Sequence, residues 1–308
     1  MKRTTRFRLL IEAPEILLLP GAHDALSVRL AEQAGFAAVT CGGYSAAASL
    51  LGAPDVGQLT MTEMAEMYAR LADCTDLPIF ADGDTGHGNA TNVARTVRAF
   101  ERAGVAGLFI EDQVAPKRCG HMAGKRVVPV EDMVAKLKAA LDARVDPDLV
   151  IMARTDARAA HGLDEAIERA QIYREVGADL LFVEAPESIE ELRRICSEIP
   201  APCLANNIEG GRTPVLPAHK LEEMGFAVVT FPVAATYAVA HALQELYAAL
   251  ARDGTTDAVT DRLMRFDEFN ALIGLPALRE AEAGYDEFAR DLLDAAPLDD
   301  GDDEDEPI

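Results

Sequence analysis

The sequence predicts an α/β protein built as a (β/α)₈ TIM barrel with additional helices at its C-terminal end. Three observations carry that expectation. Eight short apolar runs alternate with amphipathic segments from residue 16 to residue 231. The runs are nearly continuous in Val, Ile, Leu, Phe and Ala, as parallel strands covered on both faces require. Polar and charged residues then recur at the C-terminal ends of the runs, the rim where such barrels carry their chemistry.

The runs are 16–19, 37–40, 78–81, 107–110, 149–152, 180–183, 202–205 and 227–231. Helical patterns fall between them at 24–34, 62–72, 92–103, 130–143, 163–176, 188–199 and 218–224. Gly35, Gly104, Gly177 and Gly225 each follow the last apolar turn of one of these patterns, a common helix stop. A doubly wound sheet is the competing architecture, but no GxGxxG follows the first run, and eight regular units favour closure. A long helix over 234–251 and further helical pattern over 256–294 exceed what a barrel needs. They are available to cover it or to reach a neighbouring subunit. The domain organisation expected is therefore a barrel over 1–250, a helical extension over 251–296 and a disordered acidic tail over 297–308, where like charges repel.

Composition narrows the function. With 308 residues, 49% of them apolar, the chain can bury a sizeable core. No run approaches the ~20 apolar residues of a membrane span. Residues 9–11 are too short for a secretory leader, which predicts a cytoplasmic protein. Five widely spaced cysteines without a CxxC indicate neither a disulfide framework nor a zinc site. A net charge of −23 argues against nucleic acid and anionic membranes as partners. Lysine is scarce (Lys2, Lys117, Lys125, Lys136, Lys138 and Lys220), a bias that a salt-adapted surface or high-GC codon usage would each produce.

The strand ends supply the candidate site. The second ends in Cys41-Gly42-Gly43-Tyr44-Ser45, the third in Asp82-Gly83-Asp84-Thr85-Gly86-His87-Gly88 and the fourth in Glu111-Asp112. The fifth ends in Arg154-Thr155-Asp156, the sixth in Glu184 and the seventh in Asn206-Asn207. Each alone would be a solvated loop residue; six in phase at one rim are not. Asp82, Asp84 and Glu111 are hard oxygen donors of the kind that hold Mg²⁺. Arg154 has a planar fork for a carboxylate, Asn206 can donate to an oxyanion, and Gly42 and Gly43 let backbone N–H groups approach a ligand. Together they describe a site for a small di-acid with an oxygen beside one carboxylate. After the fourth strand comes a polar loop with one thiol, Cys119, and Lys117, Arg118 and His121 lie within two residues of it. Such neighbours favour the thiolate and lower a cysteine's pKa, which suits a proton-transfer group; the alternative is a surface loop with an incidental cysteine.

Five motifs now carry a resemblance: Gly52-Ala53-Pro54-Asp55, Asp82-Gly83-Asp84-Thr85-Gly86, Glu111-Asp112-Gln113, Lys117-Arg118-Cys119-Gly120-His121 and Met152-Ala153-Arg154-Thr155-Asp156. Over roughly residues 14–290 the chain resembles the isocitrate lyase/phosphoenolpyruvate mutase superfamily. The resemblance implies a barrel whose last helix is swapped between subunits of a homotetramer, a dimer of dimers. It implies Mg²⁺, with Mn²⁺ as the alternative, on Asp82 and Asp84 with Glu111 in the outer shell, and a mobile gate near 114–126. It implies catalytic roles for Lys117, Arg118, Cys119, His121 and Glu111. Substrate contacts are implied for Gly42, Gly43, Tyr44, Asp55, Gly120, Arg154, Glu184 and Asn206.

Lys-Arg-Cys-Gly-His resembles the carbon–carbon lyase branch, in which the cysteine protonates the carbanionic fragment after retro-aldol cleavage. Where methylisocitrate lyases of that branch are expected to place arginines for a third carboxylate, this chain has Tyr237 and Phe266, with Arg265 adjacent. A carboxylate buried without its partner costs ~3–5 kcal/mol. The implied substrate is therefore a 2-alkylmalate-type acid such as 2,3-dimethylmalate, cleaved to an α-keto acid and a carboxylic acid. Methylisocitrate is the alternative, followed by oxaloacetate hydrolysis and by carboxyvinyl-carboxyphosphonate or phosphonopyruvate chemistry.

Overall fold

The computed structural model describes residues 1–122 and 124–295, in two compact units, Met1–Gly254 and Thr255–Ile308. The acidic tail expected over 297–308 lies outside the described residues.

The first unit is the barrel. Its elements run α1 (Arg3–Glu12), β1 (Leu17–Pro20), α2 (Ala25–Gln33), β2 (Val39–Cys41), α3 (Gly43–Leu51), α4 (Met61–Asp73), β3 (Ile79–Asp82), α5 (Ala90–Arg102) and β4 (Gly107–Glu111). They continue α6 (Val130–Ala143), β5 (Val150–Thr155), α7 (Ala157–His161), α8 (Leu163–Val176), β6 (Leu180–Val183), α9 (Ile189–Glu198), β7 (Leu204–Asn206), α10 (Ala218–Met224), β8 (Val228–Phe231) and α11 (Ala234–Asp253). All strand pairs are parallel, in the orders β2-β3-β4-β5-β6 and β1-β8-β7. Parallel bridges Gly21–Thr40 and Leu181–Cys203 join the two sets into a closed ring.

Local sequence explains the helix limits. Asp24, Thr60 and Asn89 start α2, α4 and α5 by accepting from backbone N–H groups three residues on, each answered by the side chain of that residue. Gly35, Gly104, Gly177 and Gly225 all adopt the left-handed backbone that the helix-stop reading required.

The two-residue period of the strands sorts the core into two layers. Ile79, Ala81, Leu108, Ile110, Ile151, Ala153, Leu181 and Val183 pack outward against the helices. Phe80, Phe109, Met152, Phe182 and Leu204 fill the barrel interior with Leu17, Leu19 and Val228. Phe7 and Ile11 of α1 join that interior layer, Phe7 stacking on Phe80 at 5.3 Å. The sequence reading missed α1, having weighed residues 9–11 only as a leader, although Thr4, Phe7 and Ile11 mark one buried helix face. It also missed α3, where Gly42-Gly43 looked like a loop but opens an alanine-rich helix, and the short α7.

The second unit holds a 3₁₀ turn (Asp257–Arg262), α12 (Phe266–Leu272) and α13 (Leu275–Ala295), so the helical pattern over 256–294 is broken into three pieces. No described helix is long and apolar enough to cross a membrane.

Candidate active site

The same period that builds the interior layer builds the site above it. Two residues beyond Phe80, Phe109, Met152, Phe182 and Leu204, each strand's next inward position is Asp82, Glu111, Arg154, Glu184 and Asn206. A cavity of about 250 Å³ opens there. Of the predicted residues, Gly42, Gly43, Tyr44, Asp55, Asp82, Lys117, Arg118, Cys119, Gly120, His121, Arg154, Glu184 and Asn206 line it, whereas Asp84 and Glu111 do not reach its wall.

Backbone groups fix Asp82. Its Oδ2 accepts from Gly43 N at 2.7 Å and its Oδ1 from Asp84 N at 2.8 Å. The Tyr68 hydroxyl, 2.7 Å from both Asp82 N and Cys41 O, ties the ends of β2 and β3 together. Gly83 is required by space: a Cβ there would sit 2.4 Å from Phe109 O. Asp84 takes a left-handed backbone (φ 48°) and meets Lys117 Nζ at 2.6 Å, while Asp55 Oδ2 meets the same ammonium at 2.7 Å.

Arg154 is the second centre of charge. Its Nε lies 2.9 Å from Asp156 Oδ2 and 3.3 Å from Glu111 Oε2, and its Nη2 lies 3.1 Å from Glu184 Oε2. Its Cζ stands 5.2 Å from the Phe182 ring centroid and 5.7 Å from that of Phe109, so the interior layer also supports the cation. His121 Nε2 faces Glu184 Oε1 at 3.1 Å, and Nδ1 accepts from Arg212 N at 2.9 Å, which assigns the ring proton to Nε2. Asn206 Nδ2 is 3.5 Å from Glu184 Oε2.

The expected cage of Asp82, Asp84 and Glu111 is not assembled in this arrangement. Among the described residues no three acid, histidine or cysteine side chains are gathered closely enough to hold a metal ion. Lys117 occupies Asp84, and Arg154 draws Glu111 to its own side. The donor set nevertheless fits a hard divalent cation. Glu111 Oε1 is buried without a hydrogen-bond partner, and the Asp84 Oδ1 contact with Lys117 is not aligned as a hydrogen bond. Burial pushes Asp84 up to about 7, with Lys117 opposing and Asp82 and Asp55 adding to the rise. Burial likewise raises Glu111 well above the usual range despite Arg154. The oxygens left without hydrogen bonds, Asp84 Oδ1 and Glu111 Oε1, are the donor capacity such an ion would use.

The thiol corrects the sequence expectation. Cys119 is not a lowered-pKa cysteine: burial pushes it above its ordinary 9.0, against the backbone N–H of His121, with Glu184 opposing and Arg154 assisting ionisation. The flanking basic side chains turn elsewhere, Lys117 to Asp55 and Asp84 and His121 to Glu184. Burial thus favours the thiol form of Cys119 over the thiolate. Glu184 moves the other way; burial alone would raise it, but Arg154 and His121 hold it at about 2.

The loop that carries Cys119 is closed at its base by Val114 N to Arg126 O and Val128 N to Asp112 O, both 2.8 Å. Gln113 brackets Arg118, donating to its carbonyl at 2.9 Å and accepting from its N–H at 3.0 Å. Gly120 seats the loop on the site, because a Cβ there would lie 2.4 Å from Arg154 Nη2 and from Glu184 Oε2. Gly120→Ala is expected to lift the loop and cut turnover by ~10²-fold through misplacement of Cys119, with thermal stability nearly unchanged; steady-state kinetics beside a melting curve checks this.

Sequence reasoning named Asp156 at a strand end without giving it a role, and gave none to Tyr68 or Lys125. Lysine scarcity was the available signal: of six lysines, Lys117, Lys125 and Lys136 are buried.

A family model described as phosphoenolpyruvate phosphomutase matches residues 7–251. The chain is 48% identical over 285 residues to a 2,3-dimethylmalate lyase of Eubacterium barkeri, covering 92% of this chain and 99% of that protein. It is 44% identical over 250 residues to a 2-methylisocitrate lyase of Bacillus subtilis (strain 168), covering 81% and 82% respectively. Its fold matches the crystal structure of a 2,3-dimethylmalate lyase with a TM-score of 0.88 at 36% identity, over 92% of this chain and 96% of the other.

Proposed function

The chain belongs to the phosphoenolpyruvate mutase/isocitrate lyase superfamily, and from that premise we propose that it is a Mg²⁺-dependent carbon–carbon lyase for a 2-alkylmalate-type acid such as 2,3-dimethylmalate. The products are an α-keto acid such as pyruvate and a second carboxylic acid. The observation that carries this reading is that Cys119 shares the cavity wall with Asp82, Arg154 and Glu184, its neighbour Gly120 packing against the Arg154–Glu184 pair.

Asp82 and Asp84 would hold the metal in this reading, with Glu111 in support, and the ion would supply Lewis-acid polarisation of the substrate. Arg154 orients a substrate carboxylate: its Nε and Nη2 are held by the protein, and its Nη1 has no partner among the described residues. The substrate's hydroxyl gives up its proton to solvent as its oxygen becomes the keto carbonyl. The C–C bond breaks with its electron pair passing to the departing carboxylic-acid fragment, Cys119 donates a proton to that carbon, and the resulting thiolate regains one from solvent. Lys117, fixed by Asp55 and Asp84, adds positive charge beside the reacting carboxylates. The seated loop excludes water from the fragment.

Tyr237 supports the smaller substrate. It lines the cavity edge-on to Tyr44, with ring centroids 6.2 Å apart, and it presents no cation to a third carboxylate. Arg212 and Arg265, the substitutes available in sequence, are paired with Glu187 and Asp267. The 2-methylisocitrate lyase relatives favour the tricarboxylate as second reading. A panel of malate derivatives, methylisocitrate, oxaloacetate and phosphonopyruvate, assayed for released keto acid with and without Mg²⁺, decides the matter. The expected order places 2,3-dimethylmalate first; methylisocitrate turned over ~10-fold faster would reverse it, by the tenfold-per-1.4 kcal/mol scale of specificity.

A homotetramer belongs to the same proposal. Val239, Leu243, Tyr247 and Leu250 leave one face of α11 apolar and exposed, and Tyr285, Phe288 and Leu292 do the same on α13, an arrangement suited to burial against other subunits.

A further inference from the structure

Lys125 is almost wholly buried, yet it does not line the cavity. Its Nζ donates to Gly120 O within its own loop and to Asp156 Oδ1 on the barrel rim at 2.6 Å. Asp156 is itself fully buried and receives Arg154 Nε at 2.9 Å and Nη2 at 3.1 Å. One carboxylate therefore grips both the guanidinium of the cavity and the ammonium that holds the carbonyl next to Cys119. Burying a lysine is costly unless its charge is fully used, and this chain has only six. Lys117 with Asp55, and His121 with Glu184, also tie the loop down, but these residues line the cavity. Lys125 and Asp156 do not.

We propose that Lys125 is a positioning residue, which through Asp156 and the Gly120 carbonyl couples the place of the Cys119 thiol to the place of the Arg154 fork. The catalytic part of this inference rests on the lyase reading; the loop-seating part does not. Without the ammonium, the Gly120 carbonyl loses its donor and Asp156 keeps only a guanidinium already shared with Glu111 and Glu184. The thiol and the fork then lose their common reference point.

The test compares wild type, Lys125→Met and Lys125→Arg as full-length, Mg²⁺-loaded proteins. The first readout is the rate of iodoacetamide alkylation at Cys119, resolved from the other cysteines by peptide mass. The second is kcat and KM on the malate panel, at a temperature where circular dichroism shows every protein folded. Lys125→Met is expected to alkylate ~10-fold faster and to lose ~10–10²-fold in kcat with KM within ~3-fold, as misplacement of a held group predicts. Lys125→Arg, which keeps the ion pair, is expected to recover most of both. Wild-type alkylation and kcat in Lys125→Met would overturn the proposal, since a purely stabilising lysine moves only the melting temperature. Should Lys125→Met fail to fold, Asp156→Asn takes its place with the same expected and overturning outcomes. A wild type that cleaves none of the panel removes the lyase reading, and the alkylation rates still decide the role of Lys125.

Discussion

Replacing Cys119 with alanine is expected to lower kcat for C–C cleavage by ~10²–10⁴-fold with KM nearly unchanged, the contribution usual for a positioned acid. In the proposed mechanism the thiol acts on the departing fragment only as the bond breaks, so its loss would be felt in the transition state rather than in binding. The pH profile adds a signed expectation. Burial raises the folded-state pKa above 9.0, so the protonated, donating form persists through the neutral range and is lost only as pH rises through that higher value. Wild-type kcat therefore falls on an alkaline limb above pH 9.0, and the residual rate of Cys119→Ala lacks that limb. Ultraviolet titration of thiolate, compared between the two proteins, is an independent check: a Cys119 signal already present at neutral pH would contradict the proton-donor role.

Arg154→Met is expected to be the most damaging single change to the fold. Three buried carboxylates, Glu111, Asp156 and Glu184, converge on this guanidinium, and their fields raise its own pKa well above the ordinary value although burial opposes them. Removing the shared cation leaves them facing one another in the interior, which costs ~3–5 kcal/mol. For a chain of this size that lowers the melting temperature by roughly 5–8 °C. Arg154→Lys restores charge but not the fork, so it is expected to regain much of the stability and little of the activity. Calorimetry and kinetics on the two variants separate the contributions.

The strands were legible in the sequence because eight apolar runs sit in phase with their polar ends, and every strand starts within two residues of its expected position. The glycine stops were legible because a left-handed residue has few alternatives to glycine. Other features depend on tertiary partners that no local pattern reveals. α1 is strongly polar, and only Phe7 and Ile11 against the barrel floor explain it. The thiol's environment was misread for the same reason: sequence neighbours counted Lys117 and His121 toward Cys119, whereas in space both turn to carboxylates. The acids were recognised as metal donors by type, but their sequence spacing could not show that Lys117 and Arg154 stand among them.

The distribution of amines has a practical consequence. Lys117, Lys125 and Lys136 are enclosed, so amine-directed reagents meet only the exposed side chains of Lys2, Lys138 and Lys220, and the chain terminus. Coupling to a resin or a dye through primary amines would attach the protein by a few defined points, with none of those lysines in the cavity wall.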